Sequence, residues 1–150
     1  MLSIKERGVT SRDVVCGITA SGRTPFTLAA LKQAKTLGAK TILLTCNPAR
    51  LRPAGFDVEI DLPTGPEIIT GSTRLKAGTA TKVALNILSS CSLIKLGKVQ
   101  GNWMVGLNPS NLKLRQRAIR MVSRLKNISF EEAAKLLEHS NWNIRNVLNQ

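Results

Sequence analysis

The sequence predicts an α/β protein: a small parallel sheet flanked by helices, followed by a compact three-helix unit. Three observations carry that expectation. Two apolar, β-rich runs at 14–18 and 41–46 enclose an amphipathic helical stretch, the order of a strand–helix–strand crossover. The first run is apolar throughout rather than alternating, the pattern of a strand covered on both faces. From residue 109 onward the periodicity is helical only, broken by turn signals.

The elements follow in order. Val14-Val15-Cys16-Gly17-Ile18 runs into the turn Thr19-Ala20-Ser21-Gly22-Arg23-Thr24. Pro25 opens a helix, because its fixed φ suits the first helical position and its missing N–H is not needed there. Phe26, Leu28, Ala29, Leu31, Ala34 and Leu37 give that helix a broad apolar face, and Gly38 can cap it. After the second strand, Asn47-Pro48 begins a loop containing Arg50, Arg52, Pro53 and Gly55. Val58-Glu59-Ile60-Asp61-Leu62 alternates, as a short strand near a sheet edge does.

A long helix is expected from Ser72 or Thr73 to Leu96, with Val83, Ile87, Cys91 and Ile94 on its apolar side and Gly97 as its stop. Residues 99–106 read as irregular, with Trp103 and Met104 packed inward. Residues 111–126 form an amphipathic helix, Leu114, Ala118, Met121, Val122 and Leu125 opposing Lys113, Arg117, Arg120 and Arg124. Ser129 and Glu132 have the spacing of a capping box, and a turn at 141–143 precedes a last short helix from 144 to 148. The expected domains are 1–108 and 109–150. Three strands are fewer than a doubly wound domain usually carries, about five. Either the chain dimerises heavily or it is the second half of a larger domain.

Composition narrows the function. Hydrophobic residues make up 43 %, enough for a core, but aromatics only 3 % with no Tyr, which argues against nucleic acid held by base stacking. No apolar run approaches the roughly 18 residues of a membrane span, and Met-Leu-Ser-Ile-Lys-Glu-Arg at the start lacks an apolar signal core. Cys16, Cys46 and Cys91 lack metal-ligand spacing and read as buried reduced thiols of a cytoplasmic protein. Net charge is +13, and residues 71–127 hold eleven Lys/Arg and no acid, a field that attracts anions without choosing among them.

Two motifs carry chemistry. In the turn that closes the first strand, Ser21 and Thr24 hydroxyls with the first helical N–H groups can hold phosphate oxygens, and Gly22 lets the backbone approach. The alternative is an ordinary helix cap. The second is Gly65-Pro66-Glu67-Ile68-Ile69-Thr70-Gly71-Ser72-Thr73-Arg74-Leu75-Lys76-Ala77-Gly78-Thr79-Ala80. Glu67 can accept hydrogen bonds from sugar hydroxyls or move a proton; alternatively it is a solvated acid or the following helix's own N-terminal partner. Lys76 can supply a cation or be a solvated helix residue. The basic stripe at 113–126 reads as a solvated face, with nucleic acid as its sharper alternative, and His139 reads as a surface residue.

These two motifs, with Leu44-Thr45-Cys46-Asn47-Pro48 and Gly97-Lys98-Val99-Gln100-Gly101-Asn102-Trp103-Met104-Val105, resemble the N-acetylmuramic acid 6-phosphate etherase family. That family has the sugar isomerase (SIS) phosphosugar-binding fold, which is flavodoxin-like, and is related to the glucokinase regulatory protein. The resemblance implies a partial SIS-type sheet with a UBA-like helical tail. It implies cleavage of the D-lactyl ether at C3 of the sugar by proton abstraction at C2, elimination and water addition, without metal or organic cofactor. The products are D-lactate and N-acetylglucosamine 6-phosphate, in cytoplasmic cell-wall amino-sugar recycling. The implied partners are a phosphorylated amino sugar and a second copy in a homodimer; no membrane is involved.

Carried onto this sequence, the ligand contacts are Thr19, Ser21, Gly22 and Thr24, then Glu67, Ser72 and Lys76. Family members are about twice as long, and their N-terminal half carries the glutamates assigned to acid–base chemistry. The chain therefore corresponds to the C-terminal half. It is expected to bind phosphosugar without turnover, to expose an unpaired sheet edge, and to offer no assignable catalytic base. The alternative is a phosphosugar-binding regulatory module without catalysis.

Overall fold

A computed structural model describes residues 4, 6–49 and 55–149. Arg50, Arg52 and Pro53 of the expected loop, and Met1 to Ser3 and Lys5 of the N-terminal stretch, lie outside the described residues. The chain divides into two compact units, Met1–Asn86 and Ile87–Gln150. The expected 108/109 boundary falls within the second. Among the described residues no helix is long and apolar enough to cross a membrane.

The first unit is an α/β layer. Its elements are β1 (Val14–Ile18), α1 (Pro25–Thr36), β2 (Lys40–Thr45), β3 (Val58–Asp61) and the start of α2 (Lys76–Lys95). The strands run parallel in the order β1-β2-β3, with Cys16 opposite Ile42 and Leu44 opposite Ile60. Pro25 opens α1, and Gly38, at φ +82, ends it by donating to the Lys35 carbonyl. Leu31 and Ala34 bury α1 against the sheet. The approach is close enough that a Cβ on Gly17 would lie 2.6 Å from Leu31 Cδ1, so this strand position requires glycine.

Asp57 pins β3 to β2. Its Oδ2 accepts from the Thr41 N–H at 2.9 Å and the Thr41 hydroxyl at 2.7 Å, while Oδ1 pairs with Lys40 at 3.1 Å. These bonds, led by the Thr41 hydroxyl, hold its carboxyl far below the usual carboxylate range.

Four expectations need correction, the last two reaching along α2 into the second unit. The broad face of α1 is covered only along Leu31 and Ala34; Phe26 is 66 % exposed, because it lies beside Ile18 on the β1 side, where the sheet ends. The long helix starts at Lys76 rather than at 72 or 73, because the preceding residues are taken up in turns, with Ser72 N–H bonded to Ile69 and Leu75 N–H to Ser72. The thiols are not all buried: Cys16 and Cys46 are half-buried and Cys91 is exposed on α2. Of that helix's apolar side only Ala77 is buried, and Val83, Ile87 and Ile94 stay exposed.

The second unit receives the end of α2 and adds α3 (Leu112–Lys126), α4 (Phe130–His139) and α5 (Ile144–Leu148). Gly97 stops α2, its N–H bonding Ile94 while Lys98 N–H reaches back to Leu93, the paired bonds of a Schellman end. Each later helix begins with a side-chain cap: Asn111 accepts from Leu114, Ser129 from Glu132 and Asn143 from Asn146. Ala118, Met121, Val122, Ala133, Leu137, Ile144 and Val147 close into one core with Val105. Trp103 packs against that core as expected, but Met104 does not and is 42 % exposed. Gln100 and Trp103 exchange backbone hydrogen bonds, and the extended chain that follows turns alternate side chains inward, Trp103 and Val105 but not Met104.

Candidate functional site

Loops that leave parallel strands at their C-terminal ends gather on one edge of a sheet, where α/β proteins place their ligands. Here three such loops meet. The first follows β1. Thr19 continues the ladder by donating its N–H to Leu44, and its nearly buried hydroxyl lies 2.7 Å from the Thr24 hydroxyl and 3.4 Å from that of Ser21. Gly22 closes the turn onto the Thr19 carbonyl at φ +69, a conformation that favours glycine. Thr24 occupies the N-cap position of α1, but its side chain makes no capping bond, and the first turn contains no acid. Of the two readings of this turn, ordinary side-chain capping by Thr24 is therefore not what is found; its hydroxyl belongs to the Thr19 network.

The second loop follows β2 and is tied to the first. Thr45 donates its hydroxyl, and Cys46 its N–H, to the Ala20 carbonyl, and Asn47 Nδ2 donates to Ser21 at 3.2 Å. The third loop follows β3 and carries Glu67. Its two oxygens accept from the first two N–H groups of α2, Lys76 at 2.8 Å and Ala77 at 2.9 Å. Those amides, Ala77 foremost, hold the Glu67 carboxyl below its ordinary range against the opposing effect of desolvation. Glu67 is thus the N-terminal partner of α2, one of the alternatives its sequence left open.

The loops enclose a cleft of about 370 Å³ lined by Ser21, Asn47, Gly65, Glu67 and Thr73 among others. The structure brings Ser21 and Glu67 to the same cleft, with Thr19, Gly22 and Thr24 joined to Ser21 within its turn. Ser72 does not line it. Lys76 takes part through its backbone N–H, and its ammonium lies near Gly65, 3.9 Å from where a Cβ there would sit. Among the described residues Glu67 is the only carboxylate in the lining. Asn47, which joins two of the loops, had no role assigned from sequence; its position directly after a strand, before Pro48, was the available signal.

Comparison with known proteins identifies the fold family. The SIS domain matches residues 7–90, more than half of the chain. The chain belongs to the SIS domain family. The SIS match takes in all three strands, the three cleft loops and most of α2. Beyond the SIS domain, similarity continues through the helical unit. The N-acetylmuramic acid 6-phosphate etherase of Crocosphaera subtropica is 49 % identical over 146 residues, 97 % of this chain and 48 % of that protein. The protein of that name from Picosynechococcus sp. is 51 % identical over the same shares. That from Geobacillus thermodenitrificans is 43 % identical over 141 residues, 94 % of this chain and 48 % of its own. The chain spans about half the length of the curated relatives it matches.

Proposed function

We propose that this chain is the phosphosugar-binding, C-terminal half of an N-acetylmuramic acid 6-phosphate etherase. The observation that carries the reading is 49 % to 51 % identity along 97 % of the chain to proteins of that name. On this reading the hydroxyls of Thr19, Ser21 and Thr24 and the backbone at Gly22 take the phosphate. Glu67, fixed by two amides, accepts from sugar hydroxyls, with Lys76 contributing from the same segment, whereas Ser72 lies outside the cleft lining. Asn47 holds the first two loops in register.

Proton abstraction next to a carbon needs a carboxylate free to accept the proton. Both Glu67 oxygens are engaged, and a carboxyl held low in pKa is a weak base. Glu67 therefore positions ligand, and the base comes from outside the cleft lining. The chain alone binds and does not turn over; a complete enzyme works as a cytoplasmic homodimer in cell-wall amino-sugar recycling. The same engagement of Glu67 favours the second reading, a phosphosugar-sensing regulatory module without chemistry.

The test is a thermal-shift titration with N-acetylglucosamine 6-phosphate, run beside a D-lactate assay on N-acetylmuramic acid 6-phosphate. Stabilisation that rises with ligand and is lost in Ser21→Ala/Thr24→Ala, without D-lactate release, is the expected outcome. No shift at about millimolar ligand would defeat the binding site. D-lactate from the monodisperse chain would defeat the assignment of the base elsewhere.

A further inference from the structure

The second unit contains a cleft of about 570 Å³ that the proposed function does not use. Lys98, Arg115, Trp142 and Arg145 line it together with Ser110 and Asn108. Three cations converge there and, among the described residues, no carboxylate lines it. Among the described residues none of the three is in an ion pair. Like charges gathered without counter-charge repel one another, and an anion between them relieves that repulsion.

The cations are seated by the backbone. A Cβ on Gly106 would lie 2.6 Å from Lys98 Cδ, and one on Gly97 would lie 3.0 Å from Arg145 Nη2. A side chain at either glycine would push a cation aside. The Arg115 guanidinium lies over the Trp142 ring, 4.7 Å from its centroid, which restrains a side chain that would otherwise be mobile. Trp142 itself sits at φ +62 next to Asn141 at φ +53. A left-handed conformation is costly for so bulky a residue and persists where its surroundings impose it. Here the Trp142 N–H donates to the Leu137 carbonyl at 2.7 Å, anchoring the turn to α4.

We propose that this cleft is a second binding site, for the phosphate group of a small phosphorylated molecule. Its volume lies in the range of small-ligand pockets. Its cations combine the fork geometry of two guanidiniums with a lysine point charge, the pairing that phosphate monoesters select.

Tryptophan fluorescence reads the site directly, because both tryptophans belong to the second unit and Trp142 lines the cleft. The full chain is titrated at constant ionic strength with inorganic phosphate and, separately, with N-acetylglucosamine 6-phosphate. A saturable change with a midpoint below about 5 mM is expected for at least one probe. It weakens about tenfold or more in Lys98→Gln and in Arg145→Gln, and persists in Ser21→Ala, which separates it from the first cleft. Response to inorganic phosphate identifies a site for the free anion; response to the phosphosugar alone identifies one that also reads the ring. Either supports the proposal. No saturable change with either probe, an equal response to chloride, or a response that survives both substitutions overturns it. Should circular dichroism show Arg145→Gln unfolded, the exposed Lys98→Gln variant decides alone.

Discussion

The two units bury their apolar residues to different degrees. In the second, three helices each contribute a stripe to one core, with Ala133, Leu137 and Val147 fully buried. In the first, burial concentrates on Leu31, Ala34, Leu43 and Leu44, while Val14 on β1 is 61 % exposed and Phe26 and Ile18 lie open beside it. The reason is architectural. Helices can satisfy one another around a common centre, whereas a sheet has two faces and two edges that further elements must cover. Among the described residues β1 pairs only with β2, so its outer edge is unpaired. The second unit has the makings of an independent fold, and the first is one layer of a larger one.

Leu137→Ala should separate the units most sharply. It opens a cavity in a closed core and should cost about 2–5 kcal/mol, read as a fall in the denaturation midpoint of tryptophan fluorescence. Phe26→Ser, at an equally apolar but open position, should change stability by no more than about 0.5 kcal/mol and should reduce self-association in sedimentation. Equal losses from the two substitutions would break the comparison. Gly17→Ala probes a tight contact of the first unit. Overpacking against Leu31 should cost about 1–3 kcal/mol, seen as an earlier far-UV circular dichroism transition with the tryptophan transition unmoved. The smallest effect is acid sensitivity. Asp57 is depressed in the folded state, so its contribution is present above the ordinary carboxylate value of about 4 and is lost as pH falls toward its folded value. Asp57→Asn should lower the midpoint near neutral pH and flatten its decline on acidification; an unchanged slope would show that the Thr41 clasp adds no stability.

Much of this architecture was legible in the residues. The apolar runs, Pro25, Gly38, the Ser129–Glu132 spacing and Gly97 each name a local physical requirement, and the elements they bound are the ones observed. Periodicity reports which residues share a face but not whether anything covers it, which is why Phe26, Val83 and Cys91 were expected inside and are found outside. Met104 was misplaced because in a short extended segment a one-residue offset reverses inside and outside. The role of Glu67 was left open among alternatives because its amide partners lie nine and ten positions further on, and only the folded loop brings them together. The hydroxyl turn was easier to recognise: Thr19, Ser21 and Thr24 are neighbours in sequence as well as in space.

Because Glu67 occupies the first amides of α2, that helix starts with a resident anion, while α1 starts with neither an acid nor a bonded side-chain cap. The cleft between the Ser21 turn and the Glu67 loop is therefore electrically lopsided. On the proposed reading, a guest with one negative end and one hydroxylated end is favoured with its negative end toward Ser21. A guest negative at both ends meets a competitor built into the wall, so discrimination against doubly phosphorylated sugars would come from the protein's own carboxylate rather than from a steric stop.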